Sequence, residues 1–260
     1  MNRQIGEVAR DNLTARVYNE LRTALMEGRF WPGHRFKIRE LAAAMNVSET
    51  PVREAVMQLV CEKGLEMEAA RSISVAELSL SQYLELRSIR LHLEGMAAEA
   101  AAKNITDRTI RKLRRLHEDL IDAEDEGRWS DAVRCNWDFH HTLYQAAEMP
   151  ELLAIIETIW LRNGPLVKYH YPHAKPTYPA EHQHLVVLRA LDAGEPEDVS
   201  KAIQADLIEG GARLVKLLGQ IEAGEVDREA LRAASEAAEG KPQAAPAAQR
   251  SARPKKTTAA

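Results

Sequence analysis

The chain has 260 residues, 35 Lys/Arg against 39 Asp/Glu, a formal net charge of -4 and two cysteines, Cys61 and Cys135. That length buries enough apolar surface to fold without staples. The two cysteines lack any CxxC or Cys/His spacing, which excludes a disulfide framework and predicts small buried thiols in a reduced, cytoplasmic protein. No segment reaches the roughly 18 consecutive apolar residues a membrane span needs, so no membrane partner is expected. The charge is uneven: residues 1–75 are nearly balanced, 76–239 hold the acidic excess, and 240–260 hold five cations and no acid. An acidic middle repels nucleic acid, so any DNA contact has to come from particular cations in the first segment.

Taken in chain order, Leu13, Val17, Leu21 and Leu25 form one helical stripe that Gly28 stops. Trp31-Pro32-Gly33 forces a turn, and Ile38 to Met45 reads as a short helix with Leu41, Ala42 and Met45 inward. Asn46 tolerates a left-handed backbone and can make a tight corner. Ser48 is placed as an N-cap with Pro51 in the first turn, so a helix is predicted from Glu49 to Lys63. Its inner face is Val52, Ala55, Val56 and Leu59; its outer face is Thr50, Arg53 and Met57. Alternation at 65–68 and 72–75 reads as two short strands joined at Ala69-Ala70-Arg71.

Beyond Leu78 the pattern is helical, with breaks at 104–106, 126–128, 149–150, 170–179 and 194–196, which gives six or seven helices in an antiparallel bundle. The last segment, 240–260, has little to bury and is predicted to be a disordered basic tail. The expected organisation is mainly α: a DNA-binding domain over 1–76, a helical domain over 77–239, and the tail.

Two short helices meeting at a tight corner, the second followed by a hairpin, describe a winged helix-turn-helix whose second helix enters the major groove of double-stranded DNA. Arg53 and Thr50 share its exposed face, where Arg53 can grip guanine or phosphate; the same pattern also fits solvated side chains on an ordinary helical hairpin. The run Pro32-Gly33-His34-Arg35-Phe36 through Arg39-Glu40-Leu41-Ala42, then Asn46 to Val56 and Leu59 to Leu65, resembles the signature of the GntR family of bacterial regulators. The resemblance implies Arg35, Arg39, Ser48, Thr50 and Arg53 as the DNA-facing set, with a wing near Arg71. Glu49 stands where many members carry Arg and could favour a cytosine amino donor. The wing tip lacks the usual glycine.

Residues 78–220 resemble the all-helical FCD effector domain of the FadR-type branch, carried by Arg87 to Glu94, Asn136 to Tyr144, and His184 through Glu195. The resemblance implies a site that in many members of that branch binds a divalent metal through an Asp and three His, the metal often holding a carboxylate effector. Carried over, the places fall on Asn136, His140, His184 and Asp206, a set that suits zinc first and nickel or manganese as alternatives. The competing reading has His140 and His184 as hydrogen-bonded core residues after loss of the metal. His141, His170, His173 and His182 are expected at the surface or in the 170–182 connection. Arg90 is expected to clamp an organic acid effector or, equally, to pair with Glu94 one turn on; Arg162 is a second effector candidate. The expected function is a non-enzymatic, homodimeric regulator. A metallohydrolase using His140, His184 and Asp206 is the rival, and it lacks a general base and leaves the first 75 residues unexplained. An effector-free architectural DNA-binding protein is the third reading.

Overall fold

The computed structural model describes residues 13–67 and 72–239. Arg71, the tip of the predicted hairpin and the tail from 240 lie outside the described residues.

The first layer is built on α1 (Leu13–Met26), whose Val17, Leu21 and Leu25 are buried while Leu13 is left exposed at its start. β1 (Arg35–Phe36) leads into α2 (Ile38–Ala44), which turns at Asn46 with φ 53° before α3 (Glu49–Cys61). The left-handed corner is thus made by the residue type that tolerates it. β2 (Leu65–Met67) and β3 (Ile73–Val75) pair antiparallel, and β1 adds to the far side of β3 to give the order β1-β3-β2. β1 was not anticipated, because two residues are too few for alternation to register. Val52, Ala55, Val56 and Leu59 are buried as the 3.6-residue period requires, while Thr50, Arg53 and Met57 stay exposed. Ser48 holds the N-cap position of α3, but its hydroxyl makes no capping bond. Cys135 is buried and Cys61, at the end of α3, is exposed, contrary to expectation.

The second layer comprises α4 (Leu80–Asn104), α5 (Asp107–Asp125), α6 (Trp129–Gln145), α7 (Pro150–Asn163), a 3-10 segment (Gly164–Tyr169), α8 (Gln183–Ala193), α9 (Pro196–Glu209), α10 (Ala212–Glu222) and α11 (Arg228–Glu239). These are eight α-helices rather than six or seven. The difference lies at Gly210-Gly211 and Gly224, which divide what reads as one long C-terminal helix. α4 opens with a capping box between Ser79 and Gln82 and packs along α9; α5 packs along α6, and α8 on α9. Among the described residues no helix is long and apolar enough to cross a membrane.

The two layers share one core: α1 packs on α7, and the residues buried around Leu21, Leu59 and Leu161 form a single cluster. At their contact a Cβ on Gly164 would lie 2.4 Å from the Leu25 carbonyl oxygen, so only glycine lets the 3-10 segment approach α1 this closely. A polar bridge flanks it, with Arg22 of α1 donating to Glu157 of α7 at 3.0 Å and His141 of α6 reaching the other oxygen at 2.8 Å. His141 is therefore half-buried between layers rather than at the surface.

Candidate DNA-reading face and buried metal-ligand site

The exposed side of the first layer carries Arg35 on β1, Arg39 on α2, and Ser48, Glu49, Thr50 and Arg53 at the start of α3, all solvent-exposed. The short corner at Asn46 brings α2 and α3 together, so Arg39 and Arg53 sit on neighbouring helices. Arg53 Nη2 lies 3.6 Å from Glu49 Oε2, one turn back, with both side chains more than half exposed. Such a pair costs little to break, so the guanidinium can be released to phosphate or guanine. The helix N-terminus at Ser48 and Thr50 adds N–H groups that favour an anion.

The second layer encloses a cavity of about 80 Å3 whose wall includes Arg90, Asn136, His140, His170, His182 and Asp206. His140 comes from α6, His184 from the first turn of α8 and Asp206 from the last turn of α9, and all three are buried. His140 Nε2 lies 3.2 Å from Asp206 Oδ2 and 3.3 Å from His184 Nε2. Asn136, one turn before His140, lines the same cavity. Ring nitrogens and a carboxylate oxygen from the His140, His184 and Asp206 triad lie within 4.8 Å of one another, and the same holds for His117, His182 and His184.

Burial pushes His184 well below the imidazole range and His182 down to about 4, so both are neutral lone-pair donors near neutral pH. Burial alone would raise the Asp206 carboxyl, but the His140 ring nitrogen beside it and the surrounding imidazoles hold it below the usual carboxylate range. Its other oxygen accepts from Tyr178 at 2.8 Å, and that phenol is raised by burial and by Asp206.

Arg90 takes the second of its two expected roles. Its Nε donates to Glu94 Oε1 at 2.5 Å, and its guanidinium lies 4.7 Å from the Trp160 ring. Because it also lines the cavity, only the N–H groups left over from Glu94 are available to an external carboxylate. Arg162 does not join it. It lines a separate cleft with Lys63, Glu66 and Gln82, and its Nε is buried without a partner.

Three further histidines gather at or beside the cavity. His170 and His182 lie in the 170–182 connection, one of the two expected places, and both line the cavity. His117, not singled out from sequence, is buried beside His182 and His184, at ring-centroid distances of 4.9 and 5.6 Å. The signal was present: Leu113, His117 and Leu120 form one buried stripe of α5, and a histidine on such a stripe has to find a polar partner.

A family model for bacterial regulatory proteins of the gntR family matches residues 13–75, and a model for the FCD domain matches 85–208. The HTH-type transcriptional regulator McbR of Escherichia coli is 34% identical over 194 residues, covering 74% of this chain and 88% of that protein. This chain belongs to the GntR family of bacterial regulators and carries its FCD domain. The Nta operon transcriptional regulator of Aminobacter aminovorans is 31% identical over 132 residues, covering 50% of this chain and 61% of its own. The solved structure of E. coli McbR/YncC superimposes with a TM-score of 0.72 at 31% identity, covering 81% of this chain and 99% of that one. Both domains and these relatives are those of DNA-binding transcriptional regulators, which disposes of the hydrolase reading.

Proposed function

We propose that this regulator binds a palindromic operator as a homodimer through α3, and that a small organic acid in the FCD cavity, beside a divalent cation, changes that binding. The observation that carries the cation is the spacing of three donors. Ligands about 2 Å from a tetrahedral ion stand roughly 3.3 Å apart, and His140 Nε2 stands 3.2 and 3.3 Å from its two neighbours. A zinc ion, or nickel or manganese, would supply a positive pole for the acid's carboxylate.

The chain's own residues set the rest. His140, His184 and Asp206 would hold the ion, and Asn136 offers an amide oxygen on the cavity side. The cavity volume lies far below the roughly 300–1,000 Å3 of ordinary ligand pockets, which restricts the occupant to an acid of few atoms. Arg90 would take one carboxylate oxygen with the N–H groups that Glu94 leaves. One α3 reads only a few base pairs, so a second copy on a two-fold operator supplies the remaining specificity.

Metal analysis of the purified protein, a melt screen of small carboxylates with and without zinc, and operator gel shifts test the reading together. Zinc should raise Tm, an acid should raise it further, and the same acid should alter the gel shift; a ligand that binds the native state stabilises it by mass action. The zinc increment should vanish in a chain carrying His140→Ala and Asp206→Asn. No metal-dependent melt and no acid that affects operator binding would overturn it.

A further inference from the structure

Glu94 of α4 is completely buried and accepts four hydrogen bonds: from Arg90 Nε at 2.5 Å and Nη2 at 3.4 Å, from the Tyr144 hydroxyl at 2.6 Å and from Trp160 Nε1 at 3.0 Å. The Tyr144 oxygen also lies 3.1 Å from His140 Nδ1, one turn away on α6. A phenol has one proton to give. Tyr144 gives it to the carboxylate, which can only accept, so its oxygen is left to accept from His140 Nδ1–H.

We infer that Glu94, acting through Tyr144, is a positioning residue that holds the proton of His140 on Nδ1 and thereby presents Nε2 to Asp206 and His184. This inference deepens the cation site proposed above. On the Nε2 side the two neighbours pull in opposite directions: His184 Nε2, at 3.3 Å, can donate to a bare His140 Nε2, whereas Asp206 favours the other tautomer. Asp206 Oδ2, at 3.2 Å, is an acceptor and by itself would draw the proton onto Nε2. Tyr144 and Asp206 therefore compete for one proton from opposite edges of the same ring. The short charge-assisted bond to Glu94 strengthens the phenol oxygen as an acceptor for Nδ1–H, because a hydrogen bond that a hydroxyl donates strengthens the one it accepts. With the proton on Nδ1, the Nε2 lone pair faces a carboxylate oxygen, an arrangement that a cation between them stabilises and that an empty core would not favour. A carboxylate that fixes a ligating imidazole through its remote nitrogen is a general way of raising metal affinity. Here a tyrosine is interposed, and the same carboxylate also neutralises Arg90. An anion that draws Arg90 toward the cavity leaves more of the Glu94 charge to Tyr144, which couples effector binding to the donor strength of His140.

The test is the tautomer itself, read by long-range 1H–15N correlation spectra of the full chain labelled at histidine, stripped of metal and held at mildly alkaline pH. His140 should show a protonated Nδ1 in the parent chain. In Tyr144→Phe, which removes one oxygen and little volume, the proton should move to Nε2 and Asp206. Zinc affinity measured by competition should fall by roughly 10- to 100-fold in the same variant. A bare Nδ1 in the parent chain overturns the inference without need of any variant, and so does an unchanged tautomer in a folded Tyr144→Phe. If the tautomer moves as described while zinc binds neither protein, this positioning role stands and the metal reading fails.

Discussion

The DNA-reading face and the cavity place their polar side chains in opposite circumstances. Arg39, Thr50 and Arg53 stand in solvent on two short helices whose inner faces do the packing. Glu94, Arg90, Tyr144 and His140 are buried, and each satisfies another. A side chain of the first kind can be lost without consequence for folding, because water takes its place. Loss of one of the second kind leaves a partner stranded in low dielectric. On the proposed reading, recognition of DNA is thus separable from stability, and the composition of the cavity is not.

The largest expected effect breaks the cavity side of that contrast. Glu94→Ala should cost about 3–5 kcal/mol in chemical denaturation, because it leaves the Arg90 guanidinium buried and unpaired; a loss near zero would mean that water reaches Arg90 freely. On the exposed side, Arg53→Ala should weaken operator binding by about 1–3 kcal/mol while leaving the denaturation midpoint unchanged. Parallel gel-shift and melting measurements check it, and a lowered midpoint would show that the reading face also supports the fold. The smallest effect lies between the two regions. The hydrogen bond from His141 holds the Glu157 carboxyl below its ordinary value, with Arg22 adding to it against the opposing effect of burial. A depressed carboxyl contributes stability that is present above its unfolded pKa, near 4.5, and is lost as pH falls through the lower folded value. Denaturation of Glu157→Gln against the parent should therefore differ by about 1 kcal/mol or less near neutrality, with the curves converging in acid.

The N-terminal layer was legible because its determinants are local. The corner at Asn46, the proline after the Ser48 cap position and the period of Val52, Ala55, Val56 and Leu59 lie within a few residues of one another, and the structure keeps them in register. The cavity was legible only in part. Spacing placed Asn136 and His140 on one helical face, and the family resemblance pointed to His184 and Asp206. Nothing local, however, says that Tyr144 turns toward Glu94 some fifty positions earlier, or that the proline-rich connection brings His170 and His182 inward. Those contacts depend on how α4, α6 and α9 cross. Arg90 shows the limit most clearly, since sequence left its two partners equally open and only the proximity of Trp160 and Tyr144 to Glu94 distinguishes them.

The contact at Gly164 has a mechanical meaning. With the 3-10 segment pressed against the backbone of α1 and no side chain between them, the operator-reading part has no hinge of its own at that point. Gly164 directly follows α7, so a displacement of that helix would bear on the backbone of α1 with no intervening side chain to yield.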